Sequence, residues 1–227
     1  VPSNSLRTFL ERTTAAYAES LQTSTDAAAA AEYLTIRRGL SKANVKYFRL
    51  GFVANPLPGH ELYAGKLSIP YITRSGVVSI RFRGVPPRED VQSTQQRPGG
   101  QKYFSVAGDM PRIYNARDLE RRDPIVCICE GEFDAMTAHA TSGLPAVGIA
   151  GVNGWRPFFA RCFDGYSSVL VLCDNDDVGQ GKAFGEKVVA QIPNARMVLM
   201  PPGHDVNSLV HAEGADALRS RLEVKNP

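Results

Sequence analysis

Residues 125–134 read IVCICEGEFD, five apolar residues followed by a glutamate, a glycine and the beginning of a helical pattern. A short apolar run that stops at a turn residue reads as a buried strand, and the same arrangement returns in VLVLCDNDDVG at 169–179 and MVLMPPGHDVN at 197–207. Each run ends in acid: Glu130, then Asp174 and Asp176, then Asp205. An open α/β sheet presents the C-terminal ends of its strands along one rim, so these carboxylates are expected to meet there. Like charges at that density repel unless a divalent cation lies among them, which predicts a metal site and chemistry on phosphates. Hard oxygen donors without paired histidines favour Mg²⁺ or Mn²⁺, and no zinc is expected.

Around these three runs the chain alternates regularly. Strands are expected at 125–129, 145–150, 168–173 and 196–200, with helices at about 132–142, 155–163, 179–192 and 214–222. Alternation of this kind gives a Rossmann-like, mainly parallel sheet with helices on both faces. Gly131 is expected to allow a tight turn that exposes Glu130. Asp134 lies one helical turn further on and would orient its neighbours. Asp177 is expected to cap the helix near Gly179. Asp205 or Asn207 would cap the turn NSLVHA, or act as ligands, since their alternate spacing repeats that of Asp174 and Asp176. The chain has no Walker lysine loop, which argues against an ATPase core.

The front of the chain is different in kind. Helical patterns cover roughly Ser5–Thr23, Thr25–Arg38 and Ser41–Phe48, and then the period falls to two. KLSIPYITRSGVVSIRFRG at 66–84 reads as a β-hairpin turning at Arg74-Ser75-Gly76. On its second strand Val78, Ile80 and Phe82 are expected on one face, with Ser79, Arg81 and Arg83 projecting from the other. Residues 84–100 form a Pro/Gly/Gln-rich loop, after which QKYF returns to a strand pattern. Residues 1–120 carry 16 Lys and Arg against 10 Asp and Glu, and the remainder carries 10 against 13. A basic front joined to an acidic, metal-type half suits a polyanion handled through cations.

The 227 residues suffice for a substantial core. No apolar stretch reaches the roughly 20 residues needed to cross a bilayer, and the cytoplasm is the expected location. Cys127, Cys129, Cys162 and Cys173 lack zinc-knuckle spacing and read as reduced core thiols.

The motifs E-G-x-x-D, D-x-D-x-x-G and a later D-x-N resemble the Toprim domain, which occurs in bacterial-type (DnaG-like) primases, topoisomerases, OLD-type nucleases and RecR-like recombination proteins. YLTIRRGLSKANVKYFRLGFV, the 66–84 hairpin and QKYFS are similar to primase elements, in primase order, so the likeness covers roughly residues 30–215. It implies an α+β basic N-terminal subdomain (1–120), an α/β Toprim subdomain (121–213) and a C-terminal helix (214–227). It further implies Glu130 as the essential acid, Asp174 and Asp176 as catalytic metal ligands, and Asp205 as a further acidic partner. Lys66, Arg83 and Lys102 fall at positions that bind nucleotide or template, Arg112 joins them, and Arg81 is an additional cation without a counterpart.

The chain departs from the family in showing no zinc-binding domain before this region, no helicase-binding domain after it, and Asn207 in place of an aspartate. A compact phage or mobile-element primase is therefore expected, acting with single-stranded DNA, ribonucleoside triphosphates and a separately encoded replicative helicase. Lys66, Arg83 and Lys102 would then close a catalytic groove between the two domains. A metal-dependent Toprim nuclease and a non-catalytic DNA-binding module remain the alternatives.

Overall fold

The computed structural model describes residues 2–86 and 102–223; most of the expected 84–100 loop lies outside them. The chain divides into two compact units, Val1–Asp109 and Met110–Pro227. The division comes ahead of the change of charge at 120, because Ile113–Tyr114 already pairs with the second sheet.

In the first unit Ser3 caps helix α1 (Asn4–Thr23), its hydroxyl accepting from the Leu6 amide. A continuous helical segment follows. It opens with a 3-10 turn at Thr25–Ala27, continues as α2 (Ala28–Glu32), and closes with a π-helical turn at Tyr33–Arg37. Ser41 caps α3 (Lys42–Tyr47). The antiparallel sheet runs in the order β1 (Gly51–Phe52), β2 (Lys66–Thr73), β3 (Gly76–Gly84) and β4 (Tyr103–Ser105).

The hairpin forms as expected but carries a bulge. Ile72 pairs with Val77 while Tyr71 pairs with Ser79, leaving Val78 as the extra residue on β3. The bulge changes which residues share a face. Val77, rather than Val78, joins Ile80 and Phe82 in the core with Leu10, Tyr17 and Tyr63. Arg81 and Arg83 stay on the opposite face, paired with Ile69 and Leu67. That face is not open: Leu67 and Ile69 are buried, and Arg83 is only 8% exposed.

The second unit holds a five-stranded sheet ordered β5 (Ile113–Tyr114), β7 (Ala146–Ile149), β6 (Ile125–Cys129), β8 (Ser168–Cys173) and β9 (Ala195–Leu199). All neighbours are parallel except β5, an edge strand too short to register as a periodic pattern. The helices are α4 (Glu132–Ser142), closed by Gly143 in the left-handed region, α5 (Gln180–Val189), α6 (Val206–Glu213) and α7 (Ala215–Leu222). Residues 157–163 are a 3-10 rather than an α-helix. The apolar runs of β6 and β8 are buried on both faces, as central parallel strands must be, in a core shared with Trp155, Phe159, Phe163 and Phe184. Cys127, Cys129 and Cys173 lie in these strands and are buried, whereas Cys162 is exposed, contrary to its expected place in the core.

α7 is part of this unit and not a separate tail, since the Arg219 guanidinium donates to the Thr141 carbonyl at the end of α4. Two glycines set the depth of α5 against β8. A β-carbon on Gly181 would stand 2.3 Å from the Asp174 carbonyl oxygen, and one on Gly185 would stand 2.3 Å from Cys173 Sγ. Alanine normally stabilises a helix interior relative to glycine by about 1 kcal/mol. Here the sign is expected to reverse, with Gly181→Ala lowering stability by about 1–3 kcal/mol through overpacking. Denaturant titration checks this, and a stabilised variant would show that the close approach does not constrain the helix.

Candidate metal centre

β6 and β8 are adjacent, and their register sets Cys129 beside Leu172. Glu130 and Asp174 therefore leave neighbouring strand ends about 5 Å apart, at the point where the order of crossovers reverses and open α/β sheets place their ligands. Asp176 and Asp205 come from the loops after β8 and β9. Each carboxylate is held differently, and the differences follow from local sequence.

Glu130 Oε2 and Asp174 Oδ1 are buried and accept no hydrogen bond. Burial raises the Glu130 carboxyl above its usual range, and the charges of Asp176 and Asp205 raise it further. Asp174 is pushed up to about 8 by burial first, then by Asp134, Glu130, Asp205 and Asp176. A carboxylate stripped of water, without a donor and surrounded by its own kind, is suited to a cation.

The other two are tied to helix starts. Asp176 Oδ1 accepts from the Gly179 amide at 2.6 Å and the Gln180 amide at 3.2 Å, so Asp176 serves the start of α5 in the role expected of Asp177. Asp205 caps α6 in a capping box, its Oδ1 accepting from the Ser208 amide at 2.6 Å while Ser208 Oγ accepts from the Asp205 amide at 2.9 Å. One oxygen of each is thereby fixed in direction.

Asn207 is buried in the contact of α6 with α4: its side-chain amide donates to Thr137 Oγ1 at 2.8 Å, and its backbone amide donates to Asp134 Oδ1 at 3.1 Å. Asp134 thus holds the N-terminus of α6, and Asp205 with it. Gly131 has an extended backbone that any residue can adopt. Its requirement is space, since a β-carbon there would stand 2.7 Å from Asp134 Oδ2.

Asn175, between the two aspartates, has a role that the sequence does not announce. Its backbone amide donates to the His204 carbonyl, its carbonyl accepts from Gly203, and its side chain donates to the Met200 carbonyl at 2.9 Å. It stitches the β8 loop to the β9 loop and so sets Asp174 and Asp176 relative to Asp205. The only hint in the sequence was a lone amide between acids.

Among the described residues, no three His, Cys, Asp or Glu side chains close on one point as a complete ligand set. The donor set nevertheless fits a hard divalent cation. It is all carboxylate, two of its buried oxygens have no donor, and burial and the neighbouring charges raise the affinity of Glu130 and Asp174 for protons.

The basic residues expected to serve the same chemistry belong mostly to the first unit. Lys66 stands with its ammonium 4.9 Å from the Phe104 ring centre, while the Arg81 and Arg83 guanidiniums lie 4.8 and 4.6 Å from the Tyr103 ring centre. Tyr103 and Phe104 are consecutive in β4 and face opposite ways, so Lys66 and Arg83 are on different faces of the sheet. Lys102 is exposed ahead of β4. Arg112 lies in the second unit, just ahead of β5, and is half-buried.

The raised Asp174 carboxyl makes stability depend on pH. Its folded-state value of about 8 lies above the ordinary 3.8, so the stabilisation is complete below pH 4 and is lost as pH rises towards 8. In a chelator, the melting temperature of the wild-type protein is expected to fall across this window. Asp174→Asn should flatten the profile and raise the melting temperature at its alkaline end, and Mg²⁺ or Mn²⁺ should restore the wild type. An identical slope in wild type and variant would remove Asp174 from the account.

Residues 125–216 match the Toprim domain family. The chain is 40% identical over 166 residues to Gene 57 protein of Mycobacterium phage D29, covering 71% of this chain and 100% of the phage protein. It is 30% identical over 125 residues to a DNA primase of Pseudomonas aeruginosa, covering 52% of this chain but 19% of that longer protein. Among solved structures it superposes on the DnaG primase catalytic domain bound to ssDNA with a TM-score of 0.70 and 19% identity, covering 96% of this chain and 80% of that one. The chain therefore belongs to the family of Gene 57 protein of Mycobacterium phage D29, carries a Toprim domain, and has the fold of DnaG primase catalytic cores.

Proposed function

We propose that this chain is the catalytic core of a DNA primase, synthesising short RNA primers on single-stranded DNA. The 3′-hydroxyl of an initiating nucleotide or growing primer attacks the α-phosphate of an incoming ribonucleoside triphosphate, and pyrophosphate leaves. The observation that carries this reading is the pair of buried, donorless carboxylate oxygens of Glu130 and Asp174 at adjacent strand ends.

Glu130, Asp174, Asp176 and Asp205 would hold Mg²⁺ or Mn²⁺, which supplies positive charge for the phosphate and lowers the pKa of the attacking hydroxyl. The chain's own contribution is orientation. Backbone amides aim Asp176 and Asp205, Asn175 spaces their loops, and Asp134 anchors α6. Without an ion, Asp174 retains its proton at neutral pH, so proton release accompanies loading of the site. Lys66, Lys102, Arg81 and Arg112 would each offer charge-assisted contacts to phosphate oxygens of the triphosphate or of the template, Lys66 and Arg81 from opposite faces of the first unit's sheet, while Arg83 is buried against Tyr103.

The single-stranded template is supported by the ssDNA-bound structure of the DnaG catalytic domain, which shares this fold. The reading places the protein in the cytoplasm of a bacterial host, working beside a separately encoded helicase.

Single-stranded DNA, labelled ribonucleotides and Mg²⁺ or Mn²⁺ test the proposal on a denaturing gel. Template-dependent oligoribonucleotides are expected from the wild type, and a reduction of at least about 100-fold from Glu130→Gln, whose melting temperature should be maintained. Cleaved DNA in place of primers would show a nuclease, and full synthesis by Glu130→Gln would dismiss the metal site as the reaction centre.

A further inference from the structure

The helices of the first unit enclose a cleft that neither the metal centre nor the basic sheet uses. Ala18 and Leu21 of α1, Ala31 and Leu34 of the helical segment that follows, and Val45 and Leu50 in and just beyond α3 surround about 710 Å³. Protein interiors pack without voids of this size, and the volume falls within the range of roughly 300–1,000 Å³ in which ligands are held. Leu21, Leu34 and Leu50 form its floor and are themselves 7%, 1% and 2% exposed. Alanine at 18 and 31 leaves the space that a longer side chain on either wall would fill.

The charges on this cleft are all of one sign. Lys42, Lys46 and Arg49 line it, and no aspartate or glutamate does. Arg49 is already engaged, its Nη1 donating to Glu11 Oε2 at 2.8 Å. Lys42 and Lys46 are exposed, and among the described residues neither ammonium has an ion pair or a hydrogen bond. They stand four residues apart on α3, so about 6 Å, one helical turn, separates them along the cleft. An aliphatic floor beside two free cations one turn apart is the complement of an amphipathic helix. Apolar side chains at i, i+3, i+4 and i+7 enter the floor while carboxylates one turn apart on its flank meet the lysines. A nucleic acid strand would satisfy the lysines alone, since no aromatic ring lines the cleft for a base to stack upon.

We propose that this cleft docks an acidic amphipathic helix of a separate protein, with Lys42 and Lys46 pairing its carboxylates and the leucine floor receiving its apolar face. Its role is recruitment and not chemistry. None of its residues is among those proposed to hold the metal, the triphosphate or the template.

A fluorescein-labelled peptide of about 16 residues, with leucines at the helical spacing and glutamates on the flanks, tests this by anisotropy against the full chain. A twin peptide carries lysine at each glutamate position and keeps the leucine face. The wild type is expected to prefer the glutamate peptide by at least about 10-fold, and the preference should shrink as salt is raised. Lys42→Glu combined with Lys46→Glu should transfer the preference to the lysine peptide. Lys182→Glu combined with Lys187→Glu makes the same change of net charge on α5 and should leave the preference as it is. Ala31→Phe, which fills the cleft, should weaken both peptides by about 10-fold or more. The lysine variants alter exposed side chains only, so the charge exchange decides the matter even where Ala31→Phe folds poorly.

Equal affinity of the wild type for the two peptides would overturn the proposal, as would an equal effect of the α5 variant, which would reduce the preference to net charge. Weakened oligo(dT) binding by the Lys42→Glu, Lys46→Glu protein with its peptide preference intact would give the lysines to nucleic acid instead. A wild-type dimer in sedimentation that the same variant dissociates would give the cleft to a second copy of the chain. These readouts contain no synthesis step, so a failure here is separate from a failure of Glu130→Gln to abolish primers.

Discussion

Repulsion among carboxylates is the constraint around which the second unit is built. Glu130, Asp134, Asp174, Asp176 and Asp205 converge on one rim, and burial of Glu130 and Asp174 removes the water that would screen them. The fold tolerates this by committing the more tractable oxygens. Asp176 and Asp205 face backbone amides at helix starts, where the helix dipole favours negative charge, and Asp134 accepts from α6. What is left unsatisfied is confined to two adjacent strand tips, so the electrostatic strain is focused rather than spread.

The two units handle charge in opposite ways. The parallel sheet gathers acid at the C-terminal edge that its topology creates. The antiparallel hairpin carries cations in mid-strand, where each must rest against something, and the aromatic rings of Tyr33, Tyr103 and Phe104 fill that role. An acid cluster with two donorless oxygens and a cation cluster cushioned by rings are two different ways of holding like charges together.

The acidic strand ends were legible because nothing else explains acid directly after IVCIC and VLVLC: an apolar run fixes the strand, and the next residue falls at its tip. Asp205 was legible as a cap as well as an acid. Other features depended on partners distant in sequence. Nothing near Asn175 announces its bond to Met200, and whether Asp176 or Asp177 reaches the α5 amides is decided by one turn. Arg83 read as a projecting cation because strand alternation gives the face of a residue but not what covers that face. β5 was missed since two residues cannot show a period, and the bulge at Val78 since alternation was assumed to be unbroken.

That bulge gives the hairpin a parity of its own. Side chains along a strand form a two-letter alphabet of in and out, and Val78 is the single character that brings the turn end and the arginine end into phase. Exchange of Val78 for another residue leaves the phase intact. Its removal would not shorten the strand so much as invert it, turning either Val77 out of the core or Arg81 and Arg83 into it. The chemistry of the basic face is thus encoded in the length of β3 as well as in its composition, and a lost codon there is a different kind of lesion from a changed one.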